Sequence, residues 1–118
     1  MPIRIADRQK IIEGILENPE GITLCLDGTI PAVSGGFYVS TTNNSFTTVS
    51  DDIVERVIMQ IIADPLAEFI GSWYSPKTEE YFIDATACIR DKASAIETAR
   101  AFSQQAIFDI ARMEAVYV

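Results

Sequence analysis

Apolar and polar residues recur along this chain with two different periods, and the switches between them mark out its elements. From residue 4 to 18, Ile5, Arg8, Ile11, Ile12, Ile15 and Leu16 fall mostly on one helical face, leaving Asp7, Lys10, Glu13 and Glu17 for solvent. Pro19 and Gly21 end that helix, and Asn18, preceding a proline, is biased out of the helical region. Ile22 to Leu26 reads as a strand, and the Asp27-Gly28 pair behind it predicts a hairpin. Pro31 lacks the N–H that a ladder needs, so the return arm is either an edge strand or an extended loop.

Beyond Gly35-Gly36, FYVST places Phe37 and Val39 on one face and Tyr38 and Ser40 on the other. Asn43-Asn44 signals a turn, and SFTTV a short return strand. The strongest helical stripe follows over residues 51 to 63, where Ile53, Val54, Val57, Ile58, Ile61 and Ile62 repeat in adjacent pairs. Ser50 or Asp51 caps this helix, early acids suit the positive end of its dipole, and Asp64-Pro65 closes it.

The second half is the better punctuated. EFIGSWYS and YFIDATACI are strands joined by a Ser75-Pro76-Lys77-Thr78 turn. On the first arm Phe69, Gly71 and Trp73 share a face, with Ile70, Ser72 and Tyr74 opposite. Gly71 weakens such a strand unless a bulge or a close side chain uses the space it leaves. On the second arm Phe82, Asp84, Thr86 and Cys88 alternate with Tyr81, Ile83, Ala85, Ala87 and Ile89. Asp91 caps a helix running to about Ser103, with Ser94 and Glu97 at capping-box spacing and Ala93, Ile96, Ala99 and Phe102 as a slim apolar stripe. AIFDI is a further strand, after which RMEAVYV either completes a hairpin or leaves the helix to run on through Ala111. The whole predicts a single α+β domain over residues 1–118, with a largely antiparallel sheet of about five strands and two or three helices mainly on one face.

Composition narrows the function more than the fold. A 48% hydrophobic chain of 118 residues is a globule rather than a disordered segment. No apolar run approaches the roughly 18 residues of a membrane span, and MPIRIADRQK lacks the apolar stretch of a secretory signal, so a cytoplasmic protein without membrane contact is expected. Cys25 and Cys88 sit in the apolar runs ITLCL and ATACI, as buried reduced thiols do. The chain has no histidine to activate either of them.

The net charge is −8, with residues 11–89 contributing −10 and the first ten residues +2. Direct nucleic-acid binding is disfavoured, since it needs clustered lysine and arginine. A DNA-mimicking inhibitor would need acids at phosphate-like spacing on one face, and the order of acids along the chain does not display it. From Gly28 to Ser50 there is no charged residue, and the abundant hydroxyls and amides suit either an adaptable binding surface or, preferably, a meander with polar turns. Ser34-Gly35-Gly36 lacks the lysine and spacing of a phosphate loop, and Asp51-Asp52 is explained by capping.

No metal-ligand cluster or nucleophile with a base stands out, and no cofactor is implied. Tyr38, Ser40, Trp73, Tyr74 and Asp84 are the residues with which a ligand site would be built, as aromatic walls with a few converging polar groups. Asp84 lies between apolar neighbours. Buried, it would be a costly charge and a site candidate; with one face of the sheet wet, the preferred reading, it is an ordinary exposed strand residue.

The succession IGSWY, EEYFIDATACI, DKASAIETA and QQAIFDI, within residues 70–110, resembles small uncharacterised accessory proteins of bacterial mobile elements and phages. In these a tryptophan hairpin, an aspartate-bearing strand, a helix and a Q-x-A-I-x-D strand follow one another. The resemblance implies a cytoplasmic accessory protein and transfers no catalytic residue; the first half departs from it. Residues and resemblance together lead to the expectation of a non-enzymatic protein-interaction module, meeting a protein partner or a second copy as a homodimer. The alternative is a small-molecule binding protein or small enzyme using the five residues above.

Overall fold

The structure, a computed structural model, describes residues 7–118, so the expectation for Ile5 and the first turn of the N-terminal helix lies outside the described residues. Helix α1 (Arg8–Glu17) starts at Asp7, whose carboxylate accepts from the Lys10 N–H at 3.1 Å. Ile11 and Ile15 are its buried residues, while Leu16, expected on the same face, is half-exposed. Strand β1 (Ile22–Leu24) follows. The Asp27-Gly28 turn forms behind it, with Cys25 N–H donating to Thr29 O at 2.8 Å, but no return arm pairs with β1. Of the two readings of the return arm, the edge strand is absent and the loop is present: Pro31 and the residues around it run as an unpaired connection.

Strands β2 (Phe37–Ser40) and β3 (Ser45–Phe46) do not pair with each other either. Both lie antiparallel along β5 (Glu80–Ile89), at opposite ends of it, so residues 41–44 form a bulged connection beside its middle. Helix α2 (Asp51–Ala63) has the expected bounds, with Ser50 as its cap and Val54, Val57, Ile58 and Ile61 buried. Strand β4 (Phe69–Ser75) pairs with β5 over seven residue pairs, and the turn between them closes through Glu79 in the left-handed region at φ 56°. Helix α3 (Lys92–Ala101) is capped by Asp91 and ends two residues before Ser103. It buries Ala95 and Ala99; Ala93, expected on the buried stripe, is exposed. The tail is a hairpin of β6 (Ala106–Asp109) and β7 (Glu114–Tyr117).

The result is one antiparallel seven-stranded sheet in the order β1-β4-β5-β2-β6-β7, with β3 also on β5, curled into a half-barrel with three helices. The expected α+β architecture is present. Against an expected five or so strands there are seven: the short return strand read at SFTTV is the two-residue β3, and of the two readings of the tail the hairpin, which adds β7, is the one present.

All three helices pack on one face of the sheet. Ile11 and Ile15 of α1 and Val54, Val57, Ile58 and Ile61 of α2 enclose Leu24, Ile70, Ile83 and Ala85. Ala95 and Ala99 of α3 lie against Val39 and Ile107. Small residues let α3 approach the strands closely, and a Cβ on Gly14 would stand 2.7 Å from Leu24 Cδ1, so α1 depends on the same device. The other face carries no helix among the described residues.

Candidate functional site

The ladder registers define that helix-free face row by row. Phe108 of β6, Tyr38 of β2 and Cys88 of β5 stand side by side. The next row is Ala106, Ser40, Thr86 and Phe69, by the same registers. Then come Asp84 beside Gly71 and Thr23, and Phe82 beside Trp73. Four of the five sequence-derived candidates, Tyr38, Ser40, Trp73 and Asp84, thus share this face. Tyr74 does not: it points to the helix side, where its ring lies 4.8 Å from that of Tyr81.

Aromatic rings dominate the face. Trp73 and Phe82 stack at 4.6 Å with planes 11° apart, and Trp73 remains 48% exposed. Tyr38 stacks on Phe108 at 6.4 Å and meets Phe69 edge-on at 5.8 Å. Tyr38 and Phe69 belong to strands on either side of β5, about 9–10 Å apart by normal strand spacing. Their rings therefore lean over β5 to touch. This canopy explains why Thr86, on a face with no helix, is only 2% exposed.

Asp84 is buried as well, at 8% exposure, which corrects the preference for a solvent-exposed residue. The sheet's far face is helix-free without being wet at its centre: the Tyr38–Phe69 pair leans over Thr86, and Thr42 and Asn44 lie against Asp84. Asp84 Oδ1 accepts from Thr42 Oγ1 at 2.7 Å and from the Asn44 N–H at 2.8 Å. Burial pushes its pKa up to about 6, against the lowering effect of those two hydrogen bonds.

This carboxylate anchors the bulged connection, and the connection in turn fastens both C-terminal helix ends. Asn44 Nδ2 donates to Gln60 Oε1 of α2 at 2.6 Å, and Thr41 Oγ1 to Asp64 Oδ2 at 2.6 Å. Gln104 Nε2, just past α3, donates to Thr42 O at 2.9 Å, and Asn43 Nδ2 to Phe102 O at 3.0 Å. Burial raises the Asp64 carboxyl, but hydrogen bonds from Thr41, Leu66 and Ala67 outweigh it and hold the pKa below its ordinary value. The polar residues at 41–44 of the uncharged segment are thus engaged inside the molecule, as turns and caps rather than as a binding surface.

The two thiols are free. Burial and then Glu68 raise the Cys88 thiol, which keeps it protonated and poorly nucleophilic. Burial likewise raises the Tyr38 phenol, with smaller contributions from Cys88 and Cys25. No group of three or more potential metal ligands occurs among the described residues, and no helix among them is long and apolar enough to cross a membrane.

Two surface depressions, of about 580 and 400 Å³, lie elsewhere, one beside Asp7, Lys10 and Asp27 and the other beside Gly35, Gly36 and Arg90. The candidates on the sheet line neither depression and lie together on its helix-free face. Phe69, Phe82 and Phe108 belong to it as fully as the sequence-derived residues. Alternation along β5 exposes the link between Phe82 and Asp84, but the neighbours Phe69 and Phe108 appear only once the registers are fixed. In comparisons with protein-family models, curated proteins and solved structures, the chain matched none.

Proposed function

We propose that the protein is a non-enzymatic interaction module of the cytoplasm that binds another polypeptide through the helix-free face of its sheet. The observation that carries this reading is the half-exposed Trp73–Phe82 stack set in a broad aromatic platform. Tryptophan and tyrosine contribute large contact areas at low conformational cost and concentrate in the energetic centres of protein interfaces. A small molecule would instead require a concave site that surrounds most of its surface. The four candidates on this face spread across three strands, and Tyr74, the fifth wall of such a site, faces the opposite way.

A photo-crosslinking amino acid placed at position 73 tests the reading in the protein's own host. Crosslinking to a polypeptide of defined size from position 73, and not from the exposed Glu97 on α3, is the expected result. Equal labelling from both positions, or none from position 73, would refute a sheet-face interaction.

A further inference from the structure

We propose that residues 41–44 form a latch that opens when Asp84 ionises and closes when it is neutral, releasing and regaining the C-terminal ends of α2 and α3 together. The inference goes beyond the sheet-face reading above and does not depend on it. Its first ground is the course of the connection. Thr42 Oγ1 and the Asn44 N–H hold Asp84 at 2.7 and 2.8 Å. On either side of the acid, Thr41 N–H donates to Ala85 O at 2.9 Å, Ala85 N–H to Thr42 Oγ1 at 3.1 Å and Ile83 N–H to Asn44 O at 3.3 Å. The same four residues carry the ties to Gln60 and Asp64 at the end of α2 and to Phe102 and Gln104 at the end of α3. A displacement of the connection from Asp84 therefore strains both sets of ties at once.

The second ground is what the latch is made of. Asn43 is exposed and Thr42 and Asn44 are half-buried, so an irregular polar stretch stands between this side of Asp84 and solvent. Displacing it gives up hydrogen bonds that water can replace and little apolar burial, which places it at the easily opened end of the structure. The third ground is the inequality of the two carboxyl oxygens. Oδ1 accepts both bonds, and no donor among the described residues reaches Oδ2. The neutral acid fits the closed latch, with its proton on Oδ2 and Oδ1 still accepting. The ionised acid leaves a charge answered on one side only, and opening the latch brings water to it. Around Asp84, β4 and β1 contribute Gly71 and Thr23, and the same face of β2 and β5 contributes the Tyr38 phenol and the Cys88 thiol. Helix α2 contributes Asp64, through Thr41, and Arg56, over the Phe46 ring of β3; the stretch after α3 contributes the uncharged Phe102 and Gln104. No ion pair reaches Asp84 among the described residues, so burial and its two hydrogen bonds govern its proton.

Amide hydrogen exchange of the full chain, followed by NMR at about pH 5 and about pH 7.5 and corrected for its intrinsic pH dependence, tests the latch. The reporters are the N–H groups of Thr41, Asn44 and Ala85, and the reference is that of Ile58 inside α2. Reporter protection should fall roughly tenfold from the lower to the higher pH, the change that linkage gives for an acid moved from 3.8 to about 6. It should respond little to low urea, as an opening that exposes little surface does, while exchange at Ile58 follows the steep urea dependence of global unfolding. Asp84→Asn, which keeps the Oδ1 acceptor and carries no charge, should hold the reporters at their low-pH protection throughout. Gln104→Ala, which cuts a tie on the α3 side, should speed exchange of the Asp64 N–H at the end of α2 several-fold, and with the wild-type comparison it decides the matter even if Asp84→Asn does not fold. Reporters that exchange only with Ile58 and share its urea slope would overturn the latch. So would equal protection at the two pH values, a loss of protection at the higher pH that persists in Asp84→Asn, or an effect of Gln104→Ala confined to the end of α3.

Discussion

The two faces of the sheet solve the same problem by different means. On the helix side, Leu24, Ile70, Ile83 and Ala85 are covered by α1 and α2, and every one of them is at most 2% exposed. On the far side, the Tyr38 and Phe69 rings meet across β5 above Thr86, and Thr42 and Asn44 lie against Asp84. The first face is a core; the second is water-excluding at its centre and open at its margins. One residue from each face makes the comparison quantitative. Ile83 points into the core and is 0% exposed, so Ile83→Ala should cost about 3–4 kcal/mol, the loss of a buried aliphatic side chain plus its cavity. Trp73→Ala, although it deletes a larger side chain, should cost no more than about 1 kcal/mol in the monomer, because its ring is half in water. Urea denaturation of both variants checks the contrast, and similar losses would mean that the far face is a second core.

The next largest effect concerns the buried acid of the open face. Folding raises Asp84 from an ordinary carboxylate value of 3.8 to about 6, so the native state holds its proton more tightly than the unfolded chain. Its contribution to stability is fully present below the unfolded value and is lost as the pH rises through 6. The 2.2-unit difference corresponds to about 3 kcal/mol. Stability should therefore rise as the pH falls from 7.5 to 5. It should then turn downward below about 4, where Asp64 and Asp91, both held below their ordinary values, lose the charge that their hydrogen bonds favour. Asp84→Asn keeps an acceptor for Thr42 and Asn44 and should flatten the profile between pH 5 and 7.5 while stabilising the protein at the upper end. An unaltered profile in that variant would assign the pH dependence to other groups.

These differences also mark how far the sequence could be read. The bounds of helix α2 were legible to the residue, because Ser50 and the Asp64-Pro65 stop agree with its stripe, although Ile62, expected on that stripe, is 57% exposed. The β4–β5 hairpin was legible for the same reason. The Asp27-Gly28 pair misled, since it specifies only the local turn, and a hairpin also needs a second arm that Pro31 and its neighbours do not supply. Ala93 was placed on the buried stripe of α3, whereas tertiary packing selects Ala95 and Ala99. Asp84 was misjudged because alternation tells which face a residue takes and not what covers that face. Its partners are Thr42 and Asn44, 42 and 40 positions away in the chain, brought beside it by registers that no local pattern encodes.

Gly71 offers a finer probe of the open face. The sequence required a use for the space it leaves, and Thr86 supplies one: a Cβ at Gly71 would stand 2.6 Å from Thr86 Oγ1. Gly71→Ala should cost about 2 kcal/mol by overpacking, since Thr86 is buried and has no room to turn away. Pairing it with Thr86→Ala removes the clash, so the double variant should lose clearly less than the sum of the two single ones. Strict additivity in a double-mutant cycle would show that the glycine serves backbone geometry instead.

The smallest expected effect lies on the helix side and has the opposite sign. Ser72 sits between Ile22 and Ile83 in the ladder, 7% exposed, and its hydroxyl has no hydrogen-bond partner among the described residues. A buried hydroxyl without a partner loses its water without compensation, whereas a methyl group at the same place loses nothing. Ser72→Ala should therefore stabilise the protein by up to about 1 kcal/mol, which urea midpoints resolve at this size of domain. The open face tolerates its buried acid because Thr42 and Asn44 answer one of its oxygens; the helix-covered face has no such donor near Ser72. A destabilised Ser72→Ala protein would mean that this hydroxyl is partnered by ordered water, and that the core, like the platform across the sheet, satisfies the polar atoms it buries.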